Sequence, residues 1–219
     1  ASMVITIFIY AFSRSRFYLL GGSIISASLV AISGAGSSFD PFISPILPAL
    51  QSMWMTFHVP SMMIGYASAG IAGFMGHVYI FQYLKNGNDR TALVQFEKQI
   101  WFAMMPAILF MLTGICLGAV WAGEAWGRPW GWDMKETWAL ISLLFYVVIA
   151  HGRLIGWIRG LLLSCLSLVG VVLVVFTYYG VNYVFAKGLL SYGFGSGTRI
   201  VPLIVVAGTE ILVIAIAAI

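Results

Sequence analysis

Apolar runs alternate with short polar stretches along the whole of this 219-residue chain. Six runs read as membrane spans: Phe17 to Gly36, Val59 to Leu84, Trp101 to Val120, Trp138 to Ala150, Gly160 to Gly180, and Ile200 to Ile219. Most approach the ~20 residues that a helix needs to cross a bilayer. They are helical in length, unlike the short alternating strands of a membrane barrel. The predicted fold class is therefore all-α, a polytopic transmembrane helical bundle forming one domain over residues 1–219. Ala1 to Phe12 is apolar but short, and reads as the tail of a span begun earlier or as a short docked helix.

The polar stretches predict the connections. Ser37 to Leu50, with Asp40, Pro41, Pro45 and Pro48, is a loop, and Gln51 to Phe57 a short interfacial segment. Pro60 falls in the first turn of the span that follows, where a missing N–H costs little. Lys85 to Arg90 is a polar turn, and Thr91 to Gln99 a short amphipathic helix. Pro106 marks a kink in the next span. Val181 to Thr198 is a loop rich in Tyr, Gly and Ser.

Composition agrees. Residues are 61% hydrophobic and only 8% charged, against about 25% charged in soluble domains. A formal net charge of +4, with no basic run interleaved with aromatics, argues against nucleic-acid binding. Cys116 and Cys165 lie in apolar spans without a C-x-x-C or zinc spacing, and read as small buried hydrophobes. Arg14, Arg16, Lys85, Arg90, Lys98, Arg153 and Arg159 fall on one side of the predicted membrane. Arg128, Lys135, Lys187 and Arg199 fall on the other. The positive-inside rule puts the larger set in the cytoplasm.

One polar stretch departs from the rest. Val120 to Trp138 holds five of the eight tryptophans, three of the seven acidic residues and two of the eleven basic ones. Trp121, Trp126, Trp130, Trp132 and Trp138 exceed what an ordinary interfacial belt supplies. A Trp-dense insert between two spans, on the outer face, suits a large flat ligand, and haem is the expected one.

Three histidines supply candidate iron ligands, since intramembrane ionisable groups are costly and imidazole commonly binds haem iron. His58 lies at the mouth of its span, on the side of the Trp-rich insert. Its alternative role is an interfacial hydrogen bond to a carbonyl. His77 lies 19 residues further along the same helix, or ~28 Å, which takes it into the opposite leaflet. His151 descends ~20 Å from Trp138 into that leaflet too. His77 and His151 thus offer the two ligands of a b-type haem. The alternative for His77 is a polar contact between helices. Glu210 sits mid-span in the last helix, with no basic residue expected at its depth.

The insert W-A-G-E-A-W-G-R-P-W-G-W-D-M-K-E-T-W-A-L-I-S closely resembles the WWD motif of haem-handling membrane proteins, nearest to the CcsA/ResC family of cytochrome c biogenesis in bacteria and plastids. The resemblance extends to A-L-Q-S-M-W-M-T-F-H-V around His58, to the helix ending at His151, and to G-V-N-Y-V-F-A-K-G-L-L-S-Y-G-F; it covers roughly residues 45–194. It implies an inner-membrane or thylakoid protein whose insert, on the periplasmic or lumenal face, holds haem for attachment to an apocytochrome Cys-x-x-Cys-His segment. It implies His58 as an external axial ligand and His151 as a transmembrane one shared with a CcsB/ResB-like partner. The Trp residues and Asp133 would form the platform, and Arg128 and Lys135 would meet the anionic propionates. The chain departs from the pattern at Leu190, where the family has its second external histidine, and His77 has no family counterpart. Those departures motivate a second expectation: a b-haem subunit of a redox complex, passing electrons between quinol and a c-type cytochrome.

Overall fold

The computed structural model describes residues 15–34, 48–87, 89–181 and 201–218, together with Met3, Thr6, Ile7, Tyr10 and Ala11. Leu190, Lys187 and Arg199 lie outside the described residues. Among the described residues there is no strand. The long helices, in chain order, are α1 (Arg16–Gly34), α2 (Met53–Asn86), α3 (Arg90–Trp126), α4 (Met134–Leu154), α5 (Gly160–Val175) and α6 (Val201–Ala217). A 3₁₀ turn at Pro48–Leu50 precedes α2, and α5 continues into a π-helical turn at Phe176–Gly180. Four segments are long and apolar enough to cross a membrane: α2, α3, α4, and α5 with its π turn. The expected first and last spans correspond to the shorter α1 and α6, of 19 and 17 residues. The all-α class and the membrane character hold.

Three expected boundaries differ. The interfacial segment and second span are one 34-residue helix, α2. Ser52 caps it, its hydroxyl accepting from Trp54 N at 3.3 Å, so Pro60 falls inside the helix rather than in its first turn. The amphipathic stretch and third span are likewise one 37-residue helix, α3, capped by Asp89, whose carboxylate accepts from Ala92 N at 3.0 Å. No Gly or Pro stands between Gln99 and Trp101 to end a helix there. Lastly, most of the Trp-rich insert is helical. Val120–Trp126 completes α3, Met134–Trp138 opens α4, and residues 127–133 alone form the connection.

That connection has local causes at both ends. Gly127 takes a left-handed φ of 71° and its N–H closes on Gly123 O at 3.1 Å, a terminating geometry that favours glycine. Asp133 and Glu136 form a capping box. Asp133 accepts from Glu136 N at 2.9 Å, and Glu136 accepts from Asp133 N at 3.3 Å. Glu136 also accepts from Gly131 N at 2.7 Å, which pins the middle of the loop.

α2 and α3 form an antiparallel hairpin with the largest shared surface in the bundle. Large side chains of one helix sit over glycines of the other. A Cβ added at Gly65 would lie 2.8 Å from Met111 Cγ, and one at Gly114 would lie 2.4 Å from Met62 Sδ. Between membrane helices, where water provides no drive to associate, such close van der Waals packing is a main source of cohesion. α5 packs on α2 through Gly73 and Gly76, and α4 leans on α3 and α5. The shared core includes Ile71, Met75, Ile100, Met104, Tyr146 and Leu163, all fully buried. Arg153 at the end of α4 pairs with Glu97 of α3. Cys116 is exposed on the bundle surface and Cys165 half-buried, so the cysteines are not both buried as expected. The exposed one sits at an apolar position that faces outward from the helices.

Gly114→Leu is predicted to wedge α2 from α3 and to cost about 1–3 kcal/mol, the range for overpacking a filled interior. Thermal unfolding of the purified protein in detergent measures it as a lowered Tm.

Candidate functional site

All three histidines solve the same local problem in the same way. Each is a polar ring on an apolar helix, and each donates its Nδ1–H to a backbone carbonyl. His58 reaches Gly114 O at 2.7 Å, His77 reaches Gly73 O at 3.0 Å, and His151 reaches Val147 O at 2.8 Å. A neutral imidazole that donates at Nδ1 presents a lone pair at Nε2. What each Nε2 meets is what separates the three residues.

His58 lines a cavity of about 470 Å³ at the Trp-rich end of the bundle, within the range of ordinary ligand pockets, roughly 300–1,000 Å³. Its ring lies on Gly118: a Cβ there would stand 2.8 Å from both Cε1 and Nδ1. The rest of the wall comes from α3 (Trp121, Ala122), the connection (Pro129, Trp130), the start of α4 (Lys135, Glu136) and the π turn (Thr177, Tyr178). The π turn widens the end of α5. Thr177 Oγ1 lies 3.1 Å from Trp138 O and 2.8 Å from Ser142 Oγ, which joins it to α4. π turns are frequent at functional sites.

His77 is engaged elsewhere. Its Nε2 stands 3.0 Å from Glu210 Oε2 on α6. Glu210 therefore has a partner at its own depth, against the sequence expectation, and both nitrogens of His77 are committed. His77 turns to Glu210 of α6, while His151 is exposed on α4.

The expected platform residues separate into two groups. Trp121 and Trp130 line the cavity with His58 and Lys135. Trp126 stands edge-on to Trp121 with centroids 6.0 Å apart, Trp132 edge-on to Trp130 at 5.7 Å, and Trp138 against Phe176 at 4.4 Å. These three buttress or extend the walls. Asp133 is the helix cap described above. Arg128 is exposed and lies over Gly131, where an added Cβ would meet its guanidinium. Trp132 has the only positive φ of a non-glycine residue among the described residues, 55°, and is 67% exposed. The left-handed region costs an L-residue about 1–2 kcal/mol. Glu136 holds the backbone on both sides, through Gly131 N and Asp133 N, and so imposes the conformation that turns this indole outward.

Sequence reasoning missed Glu136, Gly114 and Gly118. Glu136 was legible as the fourth residue of the D-x-x-E capping signature. The two glycines were legible as a small-x-x-x-small pair on one helix face, although the partner of that face was not.

Fold and cavity together define a polytopic helical membrane protein with a tryptophan-walled, histidine-bearing site at one end. The chain belongs to the cytochrome c assembly family, whose description, Cytochrome C assembly protein, matches residues 1–189. It is 35% identical to Protein NrfI of Wolinella succinogenes over 84% of this chain and 21% of that protein. It is 34% identical to the cytochrome c biogenesis protein CcsA of Chlamydomonas reinhardtii, over 85% of this chain and 56% of that one. Identity to CcsA of Heterosigma akashiwo is 32%, over 86% and 72%. The chain thus spans about a fifth of NrfI and little over half of the Chlamydomonas protein. No solved structure matches it.

Trp132→Gly is predicted to leave Tm level or to raise it, measured by thermal unfolding in detergent, because glycine adopts the left-handed backbone without strain and an exposed indole loses little packing.

Proposed function

We propose that this chain binds haem in the cavity at its Trp-rich end and takes part in attaching it to c-type apocytochromes. The observation that carries the reading is His58. Its Nδ1–H is fixed on Gly114 O, so Nε2 offers a lone pair in a cavity walled by Trp121 and Trp130. That is the tautomer and support expected of a metal-ligating histidine. The donor set fits haem: an imidazole for the iron, indole faces for an apolar macrocycle, and the cations Lys135 and Arg128 for propionates.

Haem is here the cargo, in its unattached b form, and it supplies two vinyl groups across whose double bonds the two apocytochrome thiols add, S–H across C=C, to give thioethers. The protein's own residues bind, orient and exclude water. His58 holds the iron from one side. Trp121 and Trp130 cover the ring, with Trp126 behind the first and Trp132 extending the second outward. Glu136 and Asp133 hold the loop rigid. The excess of basic residues at the opposite end supports a periplasmic or lumenal position for the insert, where an apocytochrome has access. Names among the relatives, cytochrome c biogenesis protein CcsA in particular, support the same role.

His151 supports a second element of the reading. It is exposed, and its Nδ1–H is fixed on Val147 O. A ligand it holds must lie outside this bundle, as a haem shared with a CcsB/ResB-like partner would. The other expectation, a b-haem between His77 and His151 carrying electrons from quinol to a c-type cytochrome, needs His77 free. Its engagement with Glu210 favours the assembly reading.

The test is maturation of a reporter c-type cytochrome in a host whose own assembly system is deleted and replaced by the full-length protein and its partner. His58→Ala is predicted to lower covalently haem-stained cytochrome at least about tenfold at equal protein level. Undiminished maturation in that variant contradicts the proposal.

A further inference from the structure

A second cavity lies at the opposite, basic end of the bundle, between the start of α1 and the first turns of α3. Its volume is about 630 Å³, and Arg16, Phe17, Gln95, Phe96, Lys98 and Phe102 are among its lining residues. The helices that form it are fastened together. Tyr18 Oη donates to Gln99 O at 2.6 Å, and the Phe17 and Phe96 rings meet edge-to-face with centroids 5.2 Å apart. These two contacts tie the start of α1 to α3 beside the groove.

Its lining combines cations with phenyl rings. Arg16 and Lys98 are exposed cations, and among the described residues neither has an ion pair and no acidic side chain lines the cavity. The neighbouring Glu97 is occupied by Arg153. Phe102 stands four residues, ~6 Å, further along α3 than Lys98, toward the bilayer centre. Phe102 is 55% exposed and Phe17 41%. Exposed cations thus stand beside exposed phenyl rings, with Phe102 about one turn deeper than Lys98. Among the described residues, no His, Met, Cys or Tyr lines the space, so these offer no usual iron ligand to haem.

The geometry points to a binding site for an anionic phospholipid: its phosphate lies between Arg16 and Lys98, and its first acyl segments lie on Phe17 and Phe102. A basic pocket between membrane helices recognises such headgroups by charge, while the apolar part below them selects for an attached chain. The occupant holds α1 against α3 in the way that a side chain would, and so stabilises the basic end of the bundle. This site is independent of the haem reading.

The experiment uses the full protein in neutral detergent with phosphatidylglycerol or phosphatidylcholine added, followed by native mass spectrometry for retained lipid and by thermal unfolding. Wild-type protein is expected to retain phosphatidylglycerol in preference to phosphatidylcholine and to gain Tm only with the former. Arg16→Gln and Lys98→Gln each weaken retention about fivefold, and the double variant about thirtyfold, from about 1 kcal/mol per surface cation. The Tm of the double variant in phosphatidylcholine stays at the wild-type value, which shows it folded. Glycerol phosphate, the headgroup chemistry without chains, does not displace the lipid at equal concentration. Equal retention of both lipids, undiminished phosphatidylglycerol binding by the double variant, displacement by glycerol phosphate, or displacement by haem would each overturn the assignment.

Discussion

The site depends on the seam between α2 and α3. Three pairs set its register: Met111 over Gly65, Met62 over Gly114, and His58 over Gly118. Each places a large side chain on a bare stretch of facing helix, the arrangement that lets two membrane helices approach closely. The last pair positions the imidazole, and the carbonyl of Gly114 fixes its tautomer. Sliding the helices by one residue would set His58 beside a side chain and leave its Nδ1–H without that acceptor. A packing rule of membrane helices thus becomes the positioning of the imidazole proposed to hold iron.

The same logic orders the polar groups that an apolar chain retains. An unpaired polar atom in hydrocarbon is expensive, and every histidine here settles that cost locally with a carbonyl. The Nε2 atoms are then free for specific work. At His77 that work is structural, since Glu210 brings α6 to α2. At His58 it faces a cavity. The loop above the cavity repeats the pattern, because Glu136 serves two backbone N–H groups and in doing so holds Trp132 in a conformation it would not otherwise adopt.

The sequence shows the helical class and the membrane character directly, because twenty-residue apolar runs leave few alternatives. It also shows the Trp-rich stretch and the three histidines as candidates. It is weaker at boundaries. Pro60 and the amphipathic run before Trp101 look like breaks, yet capping by Ser52 and Asp89 carries both helices past them. It overstates the insert, since tryptophans at helix ends and tryptophans in a loop read alike in one dimension. It misses His77–Glu210 because a pairing between helices far apart in the chain leaves no periodic trace.

The proposed haem site separates His58, at the cavity, from His77, held by Glu210. Haem per chain, measured by pyridine haemochrome on purified wild-type, His58→Ala and His77→Ala proteins at matched purity, tests that assignment most directly. His58→Ala is predicted to lose the haem proposed for the Trp-rich site, and His77→Ala to keep the wild-type amount. Full haem in His58→Ala together with loss in His77→Ala would contradict the assignment.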